Sequence, residues 1–204
     1  HQMDGDIQVL ETLSTLQYSE LFSNFETYIG IEIPLILKKT NRNQDSYEIV
    51  DSELAWFWIR DSITSEVCMK FLNQTKIVLS DKTHLYSELL KKGMIKSLIF
   101  LALHEQRQYD VDRCISEVLS EIQDAESWGY IAKYIMDLCE ASPSAVISRL
   151  EKGLRDDTGM YELFTKSSSP FLLGRSNYTH ILWATEMLLG DEQYAARAAR
   201  WLLE

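Results

Sequence analysis

The segment from Asn177 to Leu203 constrains the fold more than any other, because it predicts two helices joined by a very short connection. Gly190 ends the first helix, and Asp191 follows at a position suited to capping the second. Helices joined so closely run antiparallel as neighbours. Residues at helical spacing are Tyr178, Ile181, Leu182, Thr185, Leu188 and Leu189 in the first helix, and Tyr194, Ala195, Ala198, Trp201 and Leu202 in the second.

Helical spacing of apolar residues recurs along most of the chain. Its clearest example runs from Val111 to Ile122, and Ser142 followed by Pro143 marks a capped helix start. The 204 residues include only 3 proline and 8 glycine, too few for a turn-dense β fold. We therefore predict an all-α fold of roughly ten helices, built as an irregular α-solenoid or helical bundle of stacked antiparallel hairpins. No strict repeat period is visible, so tetratricopeptide and ankyrin arrays are not indicated.

The N-terminal part of the sequence has a weaker pattern. Residues from Ile29 to Leu37 alternate as in a strand, but no partner strand is evident, which favours a helix that starts near Pro34. Another helix is predicted over residues 21–29. The very polar residues 40–46 predict a loop and a minor boundary. The predicted organisation is a tag remnant at residues 1–3 and a single all-α domain over residues 4–204.

The charge of the chain disfavours some partners. With 31 acidic and 20 basic residues the formal net charge is -11, which makes nucleic acid and anionic membranes unfavourable partners by general electrostatics. The densest cationic stretch contains Lys91, Lys92 and Lys96. Apolar residues interrupt it, so these lysines are predicted to lie on the solvated side of a helix.

Compartment is indicated by hydropathy and by cysteine usage. The most apolar run, Met94 to Leu103, is broken by Lys96 and is about half as long as the ~20 residues of a membrane span. No signal peptide is recognisable. Cys68, Cys114 and Cys139 are odd in number and stand among apolar residues, which predicts buried free thiols and a cytoplasmic protein.

Several segments are similar to a known helical region. Ser87 to Leu103, SELLKKGMIKSLIFLAL, resembles a helix pair with the pattern SxLLRxGLAxTLxLLA. Trp128 to Ile147, Leu150 to Phe164 and Tyr178 to Leu203 match the same region in the same order. That region is the HEAT-like or tetratricopeptide-like C-terminal part of large bacterial multidomain proteins, many of which carry an NLR-like (STAND-class) NTPase.

The resemblance covers residues 50–204 and implies a piece of a larger bacterial protein, from a part that acts as a scaffold or sensor. Its motifs are mostly apolar packing positions, which specify a fold better than an activity. The nucleotide-binding residues of the family do not carry over, because this sequence contains no G-x-x-x-x-G-K-[ST] loop. No cofactor is predicted.

Metal-binding and catalytic motifs are not recognisable. The spacing of His84, His104 and His180 fits no zinc motif. Two acidic pairs fit helix N-termini better than a calcium loop: Asp110 with Asp112, and Asp156 with Asp157. His180 and Glu186 lie on one predicted helix, where they could support proton transfer. A small helical enzyme or ligand-binding domain, with a site built from distant residues, is therefore the alternative function.

The preferred function is a non-catalytic scaffold that binds another protein or another domain of its own polypeptide. The C-terminal hairpin is the predicted interaction edge, through Tyr194, Arg197, Trp201 and Leu202. The last helix has no Gly, Pro or polar cap after it, so we expect further helices in the parent protein. With that edge uncovered, the isolated fragment is expected to form a two-fold homodimer.

Overall fold

Helices make up most of the described chain, as the apolar spacing predicts. The computed structural model describes residues 2–15, 17, 36–41, 44–49, 51–104, 106–156, 158–166 and 177–204. Contacts divide the chain into two units, His1–Gln74 and Thr75–Glu204. The single domain over residues 4–204 stays a prediction. The division falls within a helix and away from the predicted boundary at residues 40–46.

The elements follow one another in chain order. Gln2 and Met3, which the sequence marks as a tag remnant, begin the first helix. A short 3₁₀ turn at Arg60–Ser62 follows the helix Ser52–Ile59. The described elements are α1 (Gln2–Ser14), β1 (Ile36–Asn41), β2 (Gln44–Ile49), α2 (Ser52–Ile59), α3 (Ser65–Ser80), α4 (Glu88–His104), α5 (Gln108–Ser120), α6 (Ala125–Ala132), α7 (Ile135–Ala141), α8 (Pro143–Arg155), α9 (Met160–Lys166), α10 (Asn177–Leu189) and α11 (Ala195–Leu203).

The first unit contains a β-hairpin where a helix and a loop are predicted. Strands β1 and β2 pair antiparallel, with Ile36 opposite Ile49 and Asn41 opposite Gln44. The predicted helix near Pro34 and the loop over residues 40–46 are therefore wrong. Only Tyr47 and Ile49 are apolar in β2, so this strand has almost no hydrophobic alternation to reveal it. Pro34 itself and the helix predicted over residues 21–29 lie outside the described residues.

The all-α fold class is confirmed, because every other element in the described ranges is a helix. Asp51 caps the start of α2, where its Oδ1 atom accepts hydrogen bonds from the amides of Glu53 and Leu54. Trp56 is buried, whereas Phe57 is 49% exposed beside the guanidinium of Arg60.

The core of the second unit is organised around α7. This helix packs on α4, α8 and α10, and α5 packs on α8. Four of its seven residues are buried: Ile135, Leu138, Cys139 and Ala141. Cys68, Cys114 and Cys139 are buried and free, which confirms the prediction for the thiols.

Helix starts are predicted better than helix interruptions. Ser142 Oγ accepts a hydrogen bond from the amide of Ala145, and Pro143 is the first helical residue of α8, as predicted. Gly93 and Gly153 do not interrupt helices, since α4 and α8 continue through them. The segment Ser87 to Leu103 is therefore one helix rather than a pair, and Ser87 Oγ accepts from the amide of Leu90 at its start.

The C-terminal helical hairpin is confirmed, but the buried residues of α10 differ in part from the predicted ones. Helix α10 ends before Gly190 and packs on α11. Asp191 Oδ1 accepts from the amide of Gln193 and so caps a turn that precedes α11. The buried positions of α10 are Ile181, Ala184, Thr185 and Leu188, whereas the predicted Leu182 and Leu189 are exposed.

Candidate functional site

Arg197, part of the predicted interaction edge, is engaged within the chain. Its Nε and Nη2 atoms lie 2.9 and 2.7 Å from the two carboxylate oxygens of Glu151, and Nη2 also donates to Ser148 Oγ. This two-point ion pair joins α11 to α8. The hydrogen bonds from Arg197 lower the pKa of the Glu151 carboxyl, despite its partial burial.

Trp201 is also a packing residue rather than an exposed anchor. Its side chain is 5% exposed, and its Nε1 atom donates a 3.1 Å hydrogen bond to the carbonyl of Leu150. An indole buried with its N–H satisfied stabilises the contact between α11 and α8. Tyr194 is half-buried, so of the four predicted residues only Leu202 exposes a large apolar side chain, at 46%. Whether that edge binds a partner stays a prediction.

Helix α10 also exposes large apolar side chains around the residues that it buries, and we call this exposed surface the outer face of α10. Its members are each between 37% and 41% exposed: Leu182, Trp183, Met187 and Leu189. At about 100° per residue, Leu182 and Leu189 lie on one flank of the buried positions Ile181 and Leu188, and Trp183 and Met187 lie on the other flank. Clusters of exposed apolar side chains are candidates for places where another surface packs.

His180 and Glu186 are not brought together. Six positions along a helix correspond to about 9 Å of axial rise and to a different face. The His180 ring instead contacts the edge of Trp183, with ring centroids 5.4 Å apart. The proton-transfer arrangement considered for this pair is therefore not formed within α10.

The acidic pairs are used in helix starts and ends. Asp110 lies in the first turn of α5, as predicted, and pairs with Arg107 at 3.6 Å. Asp112 accepts a hydrogen bond from Gln108 at 2.7 Å and another from Ser142. Asp156 is at the C-terminal end of α8, so its predicted place at a helix N-terminus is wrong. Asp157 lies outside the described residues, and within those residues no group of three His, Cys, Asp or Glu side chains is arranged to hold a metal ion.

The second unit contains a buried polar cluster that periodicity alone does not predict. Lys91 is 0% exposed, so its predicted place on the solvated side of α4 is wrong, while Lys92 and Lys96 are exposed as expected. The Lys91 ammonium donates to the carbonyl oxygen of Asp81 at 3.3 Å and to the hydroxyl of Tyr130. Its Nζ atom also lies 3.7 Å from Asp81 Oδ2 and 5.0 Å from the centre of the Tyr130 ring.

A second ion pair, whose charged side chains are partly exposed, lies beside this buried cluster. Glu88 accepts hydrogen bonds of 2.6 Å from Lys133 Nζ and from the hydroxyl of Tyr134. The Lys133 ammonium lies 4.9 Å from the ring centres of both Tyr130 and Tyr134. These contacts join the start of α4 to the end of α6 and the residue that follows it.

The electrostatics of the cluster indicate a structural role. Burial lowers the pKa of Lys91, and the carboxylates of Asp81 and Glu88 offset only part of that effect. Burial also raises the pKa of the Tyr130 hydroxyl above its ordinary value. Since the side chain of Lys91 has no exposed surface and its ammonium bonds internally, a substrate cannot reach it as a nucleophile in this conformation.

Membrane spans and similarity to known proteins were both considered for this chain. No helix in the described ranges has the length and apolar content needed to cross a membrane. No protein family, curated protein or solved structure was found to match this chain.

Proposed function

We propose that this chain is a non-catalytic helical scaffold whose outer face of α10 binds another protein or another domain of the same polypeptide. The exposed apolar side chains of Leu182, Trp183, Met187 and Leu189 carry the proposal. Covering them removes apolar surface from water, which is the main favourable term in protein association. The aromatic and methionine side chains on it are types enriched at protein interfaces.

The similarity of residues 50–204 to the helical region of large bacterial multidomain proteins supports the same role. On that basis we extend the proposal to a cytoplasmic bacterial protein in which this helical part contacts a neighbouring domain or a second copy of the chain. Leu202 and Leu203 of α11 add exposed apolar surface at the C-terminal hairpin. The hairpin then contributes to binding with its outward residues, while Trp201 maintains the fold.

Site-specific photo-crosslinking in the cells that make the protein tests this proposal. A photoreactive phenylalanine analogue at position 182, 183 or 187 should give a discrete adduct, whose mass distinguishes a second copy from a different protein. Leu182→Glu together with Met187→Glu should remove the adduct formed from position 183, because charges on the face oppose its burial.

Controls use apolar positions on other helices that are more exposed than those of the outer face of α10. Leu89 and Tyr109 are 83% and 77% exposed and lie on α4 and α5. The same analogue at these two positions should give no adduct. Equal adducts from the control positions, or none from α10, would reject the outer face of α10 as the binding surface.

A further inference from the structure

A groove of about 490 Å³ runs between α5 and α8 in the second unit. Its size lies within the range of pockets that hold small molecules. Its lining is unusually rich in cations and hydroxyl groups for an acidic chain, and includes Ser116, Ser148, Arg149, Lys152, Arg155 and Thr158. It is separate from the outer face of α10.

The cations of the groove are only partly compensated by carboxylates among the described residues. In the described ranges, Arg149, Lys152 and Arg155 form no ion pair within 4.0 Å. Glu151 also lines the groove, but both of its oxygens are engaged by Arg197. Among the described lining residues Asp156 is the remaining carboxylate, so these residues carry an excess of positive charge in a protein of net charge -11.

Arg149 is the most unusual of these residues. It is only 7% exposed, and its guanidinium lies 5.2 Å from the ring of Trp128. One terminal nitrogen donates to the carbonyl of Ile122, but the buried Nε–H has no acceptor in the described part of the chain. Burial lowers its pKa, and Asp156 offsets this only in part. A buried cation with an unused donor is costly unless an anion compensates it.

We propose that this groove binds a compact oxyanion that carries two or more negative charges, such as the phosphoryl groups of a small phosphorylated ligand. Arg149, held by Ile122 and Trp128, supplies a fixed charge at the groove wall. Lys152 and Arg155 are exposed about one and two turns further along α8 and supply cations at the rim. Guanidinium groups recognise such oxyanions through paired hydrogen bonds, and lysine adds a point charge.

Isothermal titration calorimetry with pyrophosphate, at constant ionic strength, tests the proposal. Pyrophosphate should bind with one-to-one stoichiometry, and inorganic phosphate should bind more weakly because it carries less charge. Citrate in a third titration distinguishes phosphoryl from carboxylate chemistry: binding tighter than that of pyrophosphate would overturn the phosphoryl assignment. The variant Lys152→Gln with Arg155→Gln should lose at least about tenfold in affinity, a loss of about 1.4 kcal/mol.

The control variant Lys92→Gln with Lys96→Gln removes the same charge from exposed positions of α4. It should keep the affinity of the natural chain. All these positions are exposed, so both variants should fold, and circular dichroism verifies this. Equal weakening in the control would show a general charge effect. No heat of binding up to about 10 mM pyrophosphate, well above the ~1 mM dissociation constant of a weak ligand, would overturn the proposal.

Discussion

The Nζ atom of Lys91 lies 3.7 Å from Oδ2 of Asp81, with the lysine side chain fully buried and the aspartate side chain 9% exposed. Asp81 also accepts hydrogen bonds from Thr83 and from the amides of Leu85 and Tyr86. The pair therefore connects the start of α4 to the segment before it. Removing one partner from such a pair leaves the other buried without full compensation.

We predict that Lys91→Met lowers the free energy of unfolding by on the order of 3 kcal/mol, because Asp81 then keeps its charge without a cation. Asp81→Asn should also be destabilising. The double variant should lose less than the sum of the two, with a coupling above about 0.5 kcal/mol in urea denaturation. Exposed Lys92→Met serves as the control and should stay within about 0.5 kcal/mol of the natural chain. Additive effects would show that the two side chains do not interact.

The second prediction concerns acid stability. Burial raises the pKa of Glu88, but the hydrogen bonds from Lys133 and Tyr134 outweigh it, so the pKa in the folded state lies below the ordinary 4.5. The folded state thus binds the proton less readily than the unfolded state, and the stabilisation from Glu88 is fully present above pH 4.5 and is lost as the pH falls through the lowered value.

Glu88→Gln should therefore be less stable than the natural chain at pH 7, and this difference should shrink as the pH falls below 4.5. Thermal melts over a pH series measure it. Glu140→Gln, at an exposed position of α7, provides a substitution of the same chemistry. A stability difference for Glu88→Gln that is constant with pH would contradict the linkage.

The helical architecture could be predicted because it depends on local apolar spacing and on capping residues such as Ser142. The β-hairpin formed by β1 and β2 could not be predicted, since β2 pairs through its backbone and contains little apolar alternation. Gly93 and Gly153 are accommodated inside helices, because the cost of glycine there is only about 1 kcal/mol, which tertiary packing readily outweighs.

The position of Lys91 relative to apolar residues of α4 indicates its burial. Lys91 precedes the buried Ile95 and Leu98 by four and seven positions, so it lies on the inward face of α4. Classing lysine as a surface residue hides this relationship. The groove at Arg149 could not be predicted in the same way, because its walls come from α5 and α8 and depend on how these helices pack.

Two helical glycines differ in the space around them. A Cβ atom at Gly93 would have no atom within 4 Å, whereas one at Gly153 would lie 2.6 Å from Met160 Cε and 2.8 Å from Trp128 Cζ2. The end of the Met160 side chain can move, but the Trp128 ring is fully buried and its Nε1 atom donates a hydrogen bond to Thr158 Oγ1. Gly153 is thus required for the close approach of α6 and α9 to α8.

Gly93→Ala should raise the free energy of unfolding by about 0.5 to 1 kcal/mol, because alanine has the higher helix propensity and restricts the unfolded chain. Gly153→Ala brings the same gain in propensity but must displace the Trp128 ring, so overpacking should make it less stable by about 1 to 3 kcal/mol. Urea denaturation of both variants, with circular dichroism as the readout, measures the two effects with opposite signs. If both substitutions stabilised the chain equally, Gly153 would not be in close contact with Trp128, and the packing of α6 on α8 described above would be wrong.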